Sequence, residues 1–170
     1  GDITESWNGT NWTEVNDLNA AKYGMAGCGS NTAALCFGGV DPPDATATTE
    51  VWNGTNWTEV NNLNTARTEL GGAGTTTSAL AFGGRAKTAI TELWNGTNWT
   101  EVNNLNTARE FIRGSGANNT AALAFGGEVD PGITGLTETW NGTNWTEVTD
   151  MATVRSRQGT AGTNTVALAF

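Results

Sequence analysis

Histidine is absent from the 170-residue sequence, so the chain lacks the commonest general base and the commonest neutral metal ligand. Only two cysteines are present, too few for a zinc site built from cysteines within one chain. A Ser-His-Asp triad or a Cys-His pair cannot be assembled from this chain alone. We therefore expect a protein that is not an enzyme and that carries no catalytic residues, no cofactor and no metal.

Cations are also scarce, since 8 Lys and Arg residues stand against 17 Asp and Glu residues, for a net charge of −9. Nucleic acids and anionic membrane surfaces are bound through clustered cations, so we expect neither as a partner. The longest apolar runs resemble Ala121–Phe125 and fall far short of the roughly 18 residues that a membrane span requires. With 15% charged residues and three prolines, the composition is not that of a disordered chain.

What the sequence does contain is an internal repeat along its whole length. The string WNGTNWTEV occurs four times, at spacings of 45, 42 and 46 residues, and its copies begin at Trp7, Trp52, Trp94 and Trp140. A second motif, Ala-Leu-x-Phe, also occurs four times and ends at Phe37, Phe82, Phe125 and Phe170. A repeat that leaves no linker predicts a single domain over residues 1–170.

Each repeat unit predicts four short strands. The first is rich in Gly and Ala and follows a basic residue, and the second is the Ala-Leu-x-Phe motif. The third and fourth, for example Thr91–Trp94 and Asn98–Val102, flank an Asn-Gly pair, which is a strong hairpin signal. Four-stranded units of 42 to 46 residues are typical of β-propeller blades.

The repeated motifs resemble those of the kelch family over the full length of the chain. Phe82-Gly83-Gly84 leads to Trp94 and Trp99 on the following hairpin, and Thr65-Ala66-Arg67 matches the basic residue that opens a kelch blade. Two features depart from the kelch pattern, because Trp replaces the usual Tyr of the third strand and the next turn is shorter. The sequence of the repeat is also similar to repeats of phage and bacterial surface proteins.

The order of the strands at the two ends predicts how the ring closes. The chain begins with third and fourth strands, Thr4–Trp7 and Asn11–Val15, and ends with first and second strands within Ser156–Phe170. We therefore predict an all-β fold, a propeller of four kelch-like blades closed by a blade shared between the N- and C-terminal strands. A piece of a longer array and two chains joined into eight blades are the alternatives.

Comparison of the four internal copies shows that one face varies. The Asn-Gly-Thr-Asn turn is identical in every copy, whereas the connections between second and third strands differ, at Val40–Thr48, Arg85–Ile90 and Glu128–Leu136. The residues after each basic position differ too, and in an up-and-down blade both regions lie on the same face. Divergence on one face of a constant scaffold favours a binding surface, and drift of unpacked loops is the alternative.

The candidate ligand-binding residues lie near that variable face and are Tyr23, Arg67, Arg109, Arg113, Arg155 and Arg157. The kelch resemblance implies that ligands meet arginines near the start of the first strand. Such arginines can hold carboxylates or sulfates by paired hydrogen bonds. The alternative for Arg67, Arg109 and Arg155, which recur at one position, is that each pins a neighbouring carboxylate or loop carbonyl.

Three other sets of residues have structural interpretations. The eight tryptophans are expected to pack between blades rather than to stack on sugars. The repeated carboxylates, such as Glu92 and Glu101, are expected to be solvated or to pair with the arginines rather than to form a glycosidase site. Cys28 and Cys36 replace small residues of other copies and are either free thiols or a local disulfide.

These observations predict a non-enzymatic binding or adhesion module that recognises a surface glycan or protein through the variable face. The expected setting is extracellular or virion-associated. A structural or assembly module of a longer virion fibre or repeat array, with self-association, is the second hypothesis. An engineered or reconstructed propeller without a natural ligand is the third.

Overall fold

The computed structural model describes all 170 residues and contains strands but no helix. The predicted all-β class is therefore confirmed, and no helix is present that could cross a membrane. The strands are β1 (Thr4–Trp7), β2 (Trp12–Val15), β3 (Ala26–Ser30), β4 (Ala33–Phe37), β5 (Val40–Asp41), β6 (Asp44–Ala45), β7 (Thr49–Trp52), β8 (Trp57–Val60), β9 (Gly71–Thr75), β10 (Ser78–Phe82), β11 (Thr91–Trp94), β12 (Trp99–Val102), β13 (Arg113–Asn118), β14 (Ala121–Phe125), β15 (Thr137–Trp140), β16 (Trp145–Val148), β17 (Thr160–Gly162) and β18 (Ala167–Ala169).

Three antiparallel four-stranded sheets form the body of the molecule, as a propeller-like fold requires. Sheet 1 contains β3, β4, β7 and β8, sheet 2 contains β9 to β12, and sheet 3 contains β13 to β16. In each sheet, strands that are neighbours in this order pair with each other. The remaining main strands form an N-terminal hairpin, β1 with β2, and a C-terminal hairpin, β17 with β18.

The Asn-Gly turn explains why the third and fourth strands pair in every copy. In sheet 2, the Asn95 side-chain oxygen accepts hydrogen bonds from the backbone N–H groups of Thr97 (2.9 Å) and Asn98 (2.8 Å). Gly96 takes the positive φ of 93° that such a tight hairpin turn needs. The turn places Trp94 opposite Trp99, with ring centroids 5.3 Å apart.

The core lies between neighbouring sheets. Phe82 of sheet 2 meets the edge of Trp145 of sheet 3, with ring centroids 5.1 Å apart. The indole N–H of Trp145 donates to the Thr91 hydroxyl of sheet 2 at 3.0 Å, so its polar atom is satisfied while its ring is buried. The same arrangement joins sheets 1 and 2 through Trp99. The tryptophans of sheets 2 and 3 are therefore packing residues, as predicted.

The first strand of each repeat lies next to a central axis. β3, β9, β13 and β17 together line an axial cavity of about 240 Å³. Small residues are needed there because a Cβ atom at Gly72 of β9 would lie 2.7 Å from the Phe37 ring of sheet 1. Four first strands around one cavity are consistent with a propeller-like fold.

The two terminal hairpins are not joined into one sheet. β1 pairs only with β2, and β18 pairs only with β17. Their apolar side chains are correspondingly exposed, to 65% for Trp12, 68% for Leu168 and 72% for Phe170. The equivalent Trp145 and Phe82 are buried in the complete sheets.

Candidate binding site at the channel mouth

The strand registers place both variable regions on one face. In sheet 1, Ala26 at the start of the first strand lies opposite Phe37 at the end of the second. Phe37 lies opposite Thr49, where the third strand begins, and Thr49 lies opposite Val60, where the fourth ends. The connections that precede first strands and those that join second to third strands therefore emerge from the same edge. A second cavity, lined by residues at the starts of the first strands, including Met25, Leu70 and Arg113, lies at this edge, which we call the mouth face.

Four equivalent residues in the left-handed conformation, which we call the left-handed ring, lie at the mouth face. The residue two positions after each basic residue has a positive φ, and these residues are Gly24 (64°), Glu69 (56°), Phe111 (52°) and Arg157 (58°). Their backbones are linked by consecutive hydrogen bonds, which we call the backbone relay. In its first bond, the N–H of Glu69 donates to the carbonyl of Gly24 at 2.7 Å. The N–H of Phe111 donates to the carbonyl of Glu69 (3.0 Å), and the N–H of Arg157 donates to that of Phe111 (3.2 Å).

This ring holds one backbone conformation while its side chains differ. A non-glycine residue in the left-handed region costs of order 1–3 kcal/mol, and such residues cluster at ligand-binding sites. Glu69, Phe111 and Arg157 all bear that cost at equivalent positions. Sequence comparison alone did not single out this ring, although Gly24 at the first position was a weak signal for it.

Arg113 is the one cation among the residues that line the cavity at the mouth face. It lies in a cavity of about 220 Å³ that also includes Met25, Leu70 and Thr160. Its guanidinium is half-buried, donates only to the carbonyl of Ile112 (3.0 Å) and has no carboxylate within ion-pair distance. Burial lowers the pKa of Arg113, Glu69 opposes this, and Arg157 adds to the lowering. Most of its donors are therefore free to meet an anionic or carbonyl oxygen.

Arg157 and Tyr23 also lie on the mouth face, before the first strands of their repeats. The guanidinium carbon of Arg157 lies 3.5 Å from the centre of the Phe111 ring, and its Nη1 lies 3.2 Å from Glu128 Oε1. The side chain of Arg157 nevertheless stays more than half exposed. Tyr23 is 56% exposed, while its backbone pairs with Val40 of the adjoining variable connection. Both side chains are accessible from solvent.

Arg67 and Arg109 are buried and occupied. Arg67 Nη2 lies 3.0 Å from Glu92 Oε1, and its Nη1 donates to two backbone carbonyls of the connection between second and third strands. Arg109 Nη2 lies 2.7 Å from Glu138 Oε1, and neither side chain is accessible to solvent. Burial lowers the pKa of both arginines, and their glutamates oppose the effect. These two arginines pin a neighbouring carboxylate and loop carbonyls, which is the structural alternative of the sequence analysis.

Arg155 occupies the same position in the fourth repeat but lacks a carboxylate. Its Nη1 donates to the Ala169 carbonyl at 3.2 Å, and its side chain is half-buried. Outside the three complete sheets, the glutamate at the position equivalent to Glu92 and Glu138 is Glu5, which is exposed on the N-terminal hairpin. Arg155 therefore does not line the cavity at the mouth face, and it makes no ion pair with Glu5.

The repeated glutamates are engaged in hydrogen bonds, and the two cysteines do not face each other. Glu92 accepts hydrogen bonds from the backbone and side-chain amides of Asn64 in addition to Arg67. Cys28 and Cys36 are free thiols, and the register pairs Gly27 with Cys36, so the two side chains point to opposite sides of the sheet. Burial raises their pKa values to about 12 and about 11. No group of His, Cys, Asp and Glu side chains is arranged to hold a metal ion.

Comparison with models of protein families finds no match to this chain, and comparison with curated proteins finds none either. The residues available at the mouth face are Tyr23, Arg113, Arg157 and the side chains of the left-handed ring.

Proposed function

We propose that this chain is a non-enzymatic binding or adhesion module that recognises a surface glycan or protein at the mouth face. The scaffold of the proposal is a ring of four kelch-like blades whose fourth blade combines the N- and C-terminal strands. The setting is extracellular or virion-associated. The observation that carries the proposal is the left-handed ring, which holds one left-handed backbone conformation in every repeat, strained at Glu69, Phe111 and Arg157, while presenting different side chains at the mouth face.

The charges at the mouth face define the ligand chemistry. Arg113 has free donors beside a cavity, and Arg157 is exposed beside it. Carboxylates surround them, including Glu69 and Glu128, and the whole chain carries a net charge of −9. A polyanion would be repelled by this field. The site therefore suits a ligand that carries single carboxylate or sulfate groups on a largely neutral body, with Tyr23 supplying an aromatic contact.

A binding screen against a glycan array and whole bacterial cells tests this proposal. Loss of binding in Arg113→Ala/Arg157→Ala, with retained folding, is the expected result because both ligand-facing guanidinium groups are removed. Arg85→Ala is the matched control, since Arg85 is exposed in a variable connection and its side chain makes no hydrogen bond. Equal loss in the control, or unchanged binding in the double variant, would refute the assignment of the site.

The second candidate function is an assembly module of a longer fibre or array. The observation that favours it is the exposure of Trp12, Leu168 and Phe170 beside the unpaired edges of β1 and β18. Light scattering over a range of protein concentrations tests it. A mass that grows with concentration supports assembly, and a constant monomer mass at millimolar concentration contradicts it.

A further inference from the structure

The two terminal hairpins have the sequences of complementary halves of a four-stranded sheet. In sheet 2, Ala79 lies opposite Trp94 and Phe82 lies opposite Thr91. Sheets 1 and 3 repeat this register. Applied to the ends of the chain, the register places Ala167 opposite Trp7 and Phe170 opposite Thr4. Leu168 then faces Ser6, and Ala169 faces Glu5.

The charged residues next to the C-terminal hairpin and on the N-terminal hairpin are also complementary. Each complete sheet contains a buried ion pair between the basic residue before the first strand and the glutamate of the third strand, namely Lys22–Glu50, Arg67–Glu92 and Arg109–Glu138. In the fourth repeat the cation is Arg155 and the glutamate is Glu5, and neither has an ionic partner in the structure. Pairing of β18 with β1 would bring this cation and this carboxylate to the equivalent positions.

The curvature of the molecule favours the chain's own β1 over that of a second copy. The N-terminal hairpin packs against sheet 1, where Trp57 Nε1 donates to the Thr4 hydroxyl at 3.1 Å. The C-terminal hairpin packs against sheet 3, where the Thr160 hydroxyl donates to the Gly114 carbonyl at 3.1 Å. Since β3 and β17 line the same axial cavity, the two hairpins border the one remaining gap in the arc. A ring of eight blades would need a smaller angle between neighbouring sheets.

The gap also divides the mouth face. Tyr23 and Gly24 follow the N-terminal hairpin, whereas Arg157 precedes the C-terminal one. The backbone relay at the mouth face runs from Gly24 to Arg157 and has no bond that joins these last two members. The relative position of the proposed ligand-binding residues therefore depends on whether the fourth sheet closes.

We propose that Arg155 and Glu5 form the fourth ion pair when β18 and β1 of one chain pair, and that this pair positions the two sides of the mouth. Arg155 and Glu5 are then positioning residues that act through the sheet, and Arg155 does not itself contact the ligand. The inference rests on the ring of the proposed function and assigns a role in that ring to residues outside the mouth.

We call the interface between two neighbouring sheets a seam, and the seam between sheet 3 and the N-terminal hairpin has the fewest hydrogen-bond donors. In the other seams an asparagine donates hydrogen bonds to the Asn-Gly turn of the next sheet. Asn61, for example, donates to the Thr97 carbonyl (3.0 Å) and to Asn98 Oδ1 (2.7 Å). The equivalent residue at this seam is Thr149, which lacks the amide donors. Asn106 holds Glu138 through its backbone and side-chain amides, and its equivalent, Ala152, keeps the backbone donor but lacks the side-chain one. With these side-chain hydrogen bonds missing, closure depends more heavily on the ion pair and the apolar contacts.

Disulfide trapping tests the register and the identity of the partner strand. The variant carries Ser6→Cys and Leu168→Cys in a Cys28→Ala/Cys36→Ala background, in which alanine already occupies the equivalent positions of other repeats. We expect rapid formation of an intrachain disulfide under mild oxidation, read by mass spectrometry and non-reducing electrophoresis. Thr4→Cys with Leu168→Cys, two residues out of register, is the control. Interchain bonds alone, no bond, or equal trapping in the control would overturn the proposal.

Distance measurements test the positioning role. Spin labels at Tyr23→Cys and Arg157→Cys, in the same background, report the width of the mouth by pulsed electron resonance. We expect one narrow distance distribution, a broad one after Glu5→Arg or Arg155→Glu, and recovery of the narrow one in the double charge swap. Glu59→Arg, on the exposed outer strand of sheet 1, is the control for the change of charge.

A distribution that is unchanged by the single substitutions, or not recovered by the swap, would overturn the positioning role. Circular dichroism shows whether a variant has unfolded, and the trapping experiment remains decisive where one has. Both readouts are independent of ligand. Failure of the binding screen would therefore leave the closure result intact, and failure of closure would leave the binding result interpretable.

Discussion

Glu138→Gln should be strongly destabilising, because it leaves the buried Arg109 guanidinium without its counter-charge. Glu138 Oε1 lies 2.7 Å from Arg109 Nη2, and neither side chain is accessible to solvent. The other carboxylate oxygen accepts hydrogen bonds from the backbone and side-chain amides of Asn106. Glutamine retains one oxygen, so its amide group must face donors of either Arg109 or Asn106.

The size of the effect follows from the burial of both partners. Removing one member of a buried ion pair costs about 3–5 kcal/mol, because the remaining charge is left unpaired. We expect the lower part of this range, since the retained glutamine oxygen still accepts one set of hydrogen bonds. A domain of this kind is stable by roughly 5–15 kcal/mol, so the loss is a large fraction of the whole.

Urea unfolding followed by tryptophan fluorescence measures the free energy of unfolding of Glu138→Gln and of a control variant. Glu147→Gln is the control, because Glu147 lies directly opposite Glu138 in the register but is exposed, and we expect a change within about 0.5 kcal/mol. Equal unfolding midpoints for the two variants would refute the claim that the repeated ion pair stabilises the sheets.

Three further predictions concern pH, thiols and the left-handed ring. Burial opposes ionisation of Glu50, but hydrogen bonds from Lys22 and Asn19 and the positive charge of Lys22 outweigh it, so the pKa of Glu50 is lowered. Stability should therefore be full above about pH 5 and fall as the pH drops through the lowered pKa, and acid titration of Glu50→Gln should show a shallower loss. Cys28 and Cys36, with pKa values of about 12 and about 11, should resist iodoacetamide at pH 8 in the folded state and react fully in urea. Glu69→Gly should raise the free energy of unfolding by about 0.5–1 kcal/mol, because glycine relieves the left-handed backbone; a loss of stability would contradict this.

The local parts of the fold could be predicted from the sequence because their causes are local. Asn95 and Gly96 set a hairpin through their own turn geometry, and the pairing of Trp94 with Trp99 follows from it. The alternation of this hairpin with the Ala-Leu-x-Phe strand then accounts for each four-stranded sheet. Because the motif occurs four times in the sequence, each copy predicts the same hairpin independently.

The roles of individual arginines could not be predicted in the same way. Arg67 and Arg113 lie near the same face, yet Arg67 is buried against Glu92, 25 residues away, and Arg113 has no carboxylate partner. The left-handed conformation of Phe111 was likewise hidden, because only Gly24 among the four equivalent residues favours it intrinsically.

By itself the sequence determined the class of fold, the strands and their order, since turn chemistry and hydrophobic repeats act over a few residues. Only the tertiary structure decided which arginines are free, where the mouth lies and how Glu5 and Arg155 are separated. These features depend on side chains that are distant in the chain and meet through the curvature of the whole arc. That curvature arises from packing between sheets, which no single repeat contains.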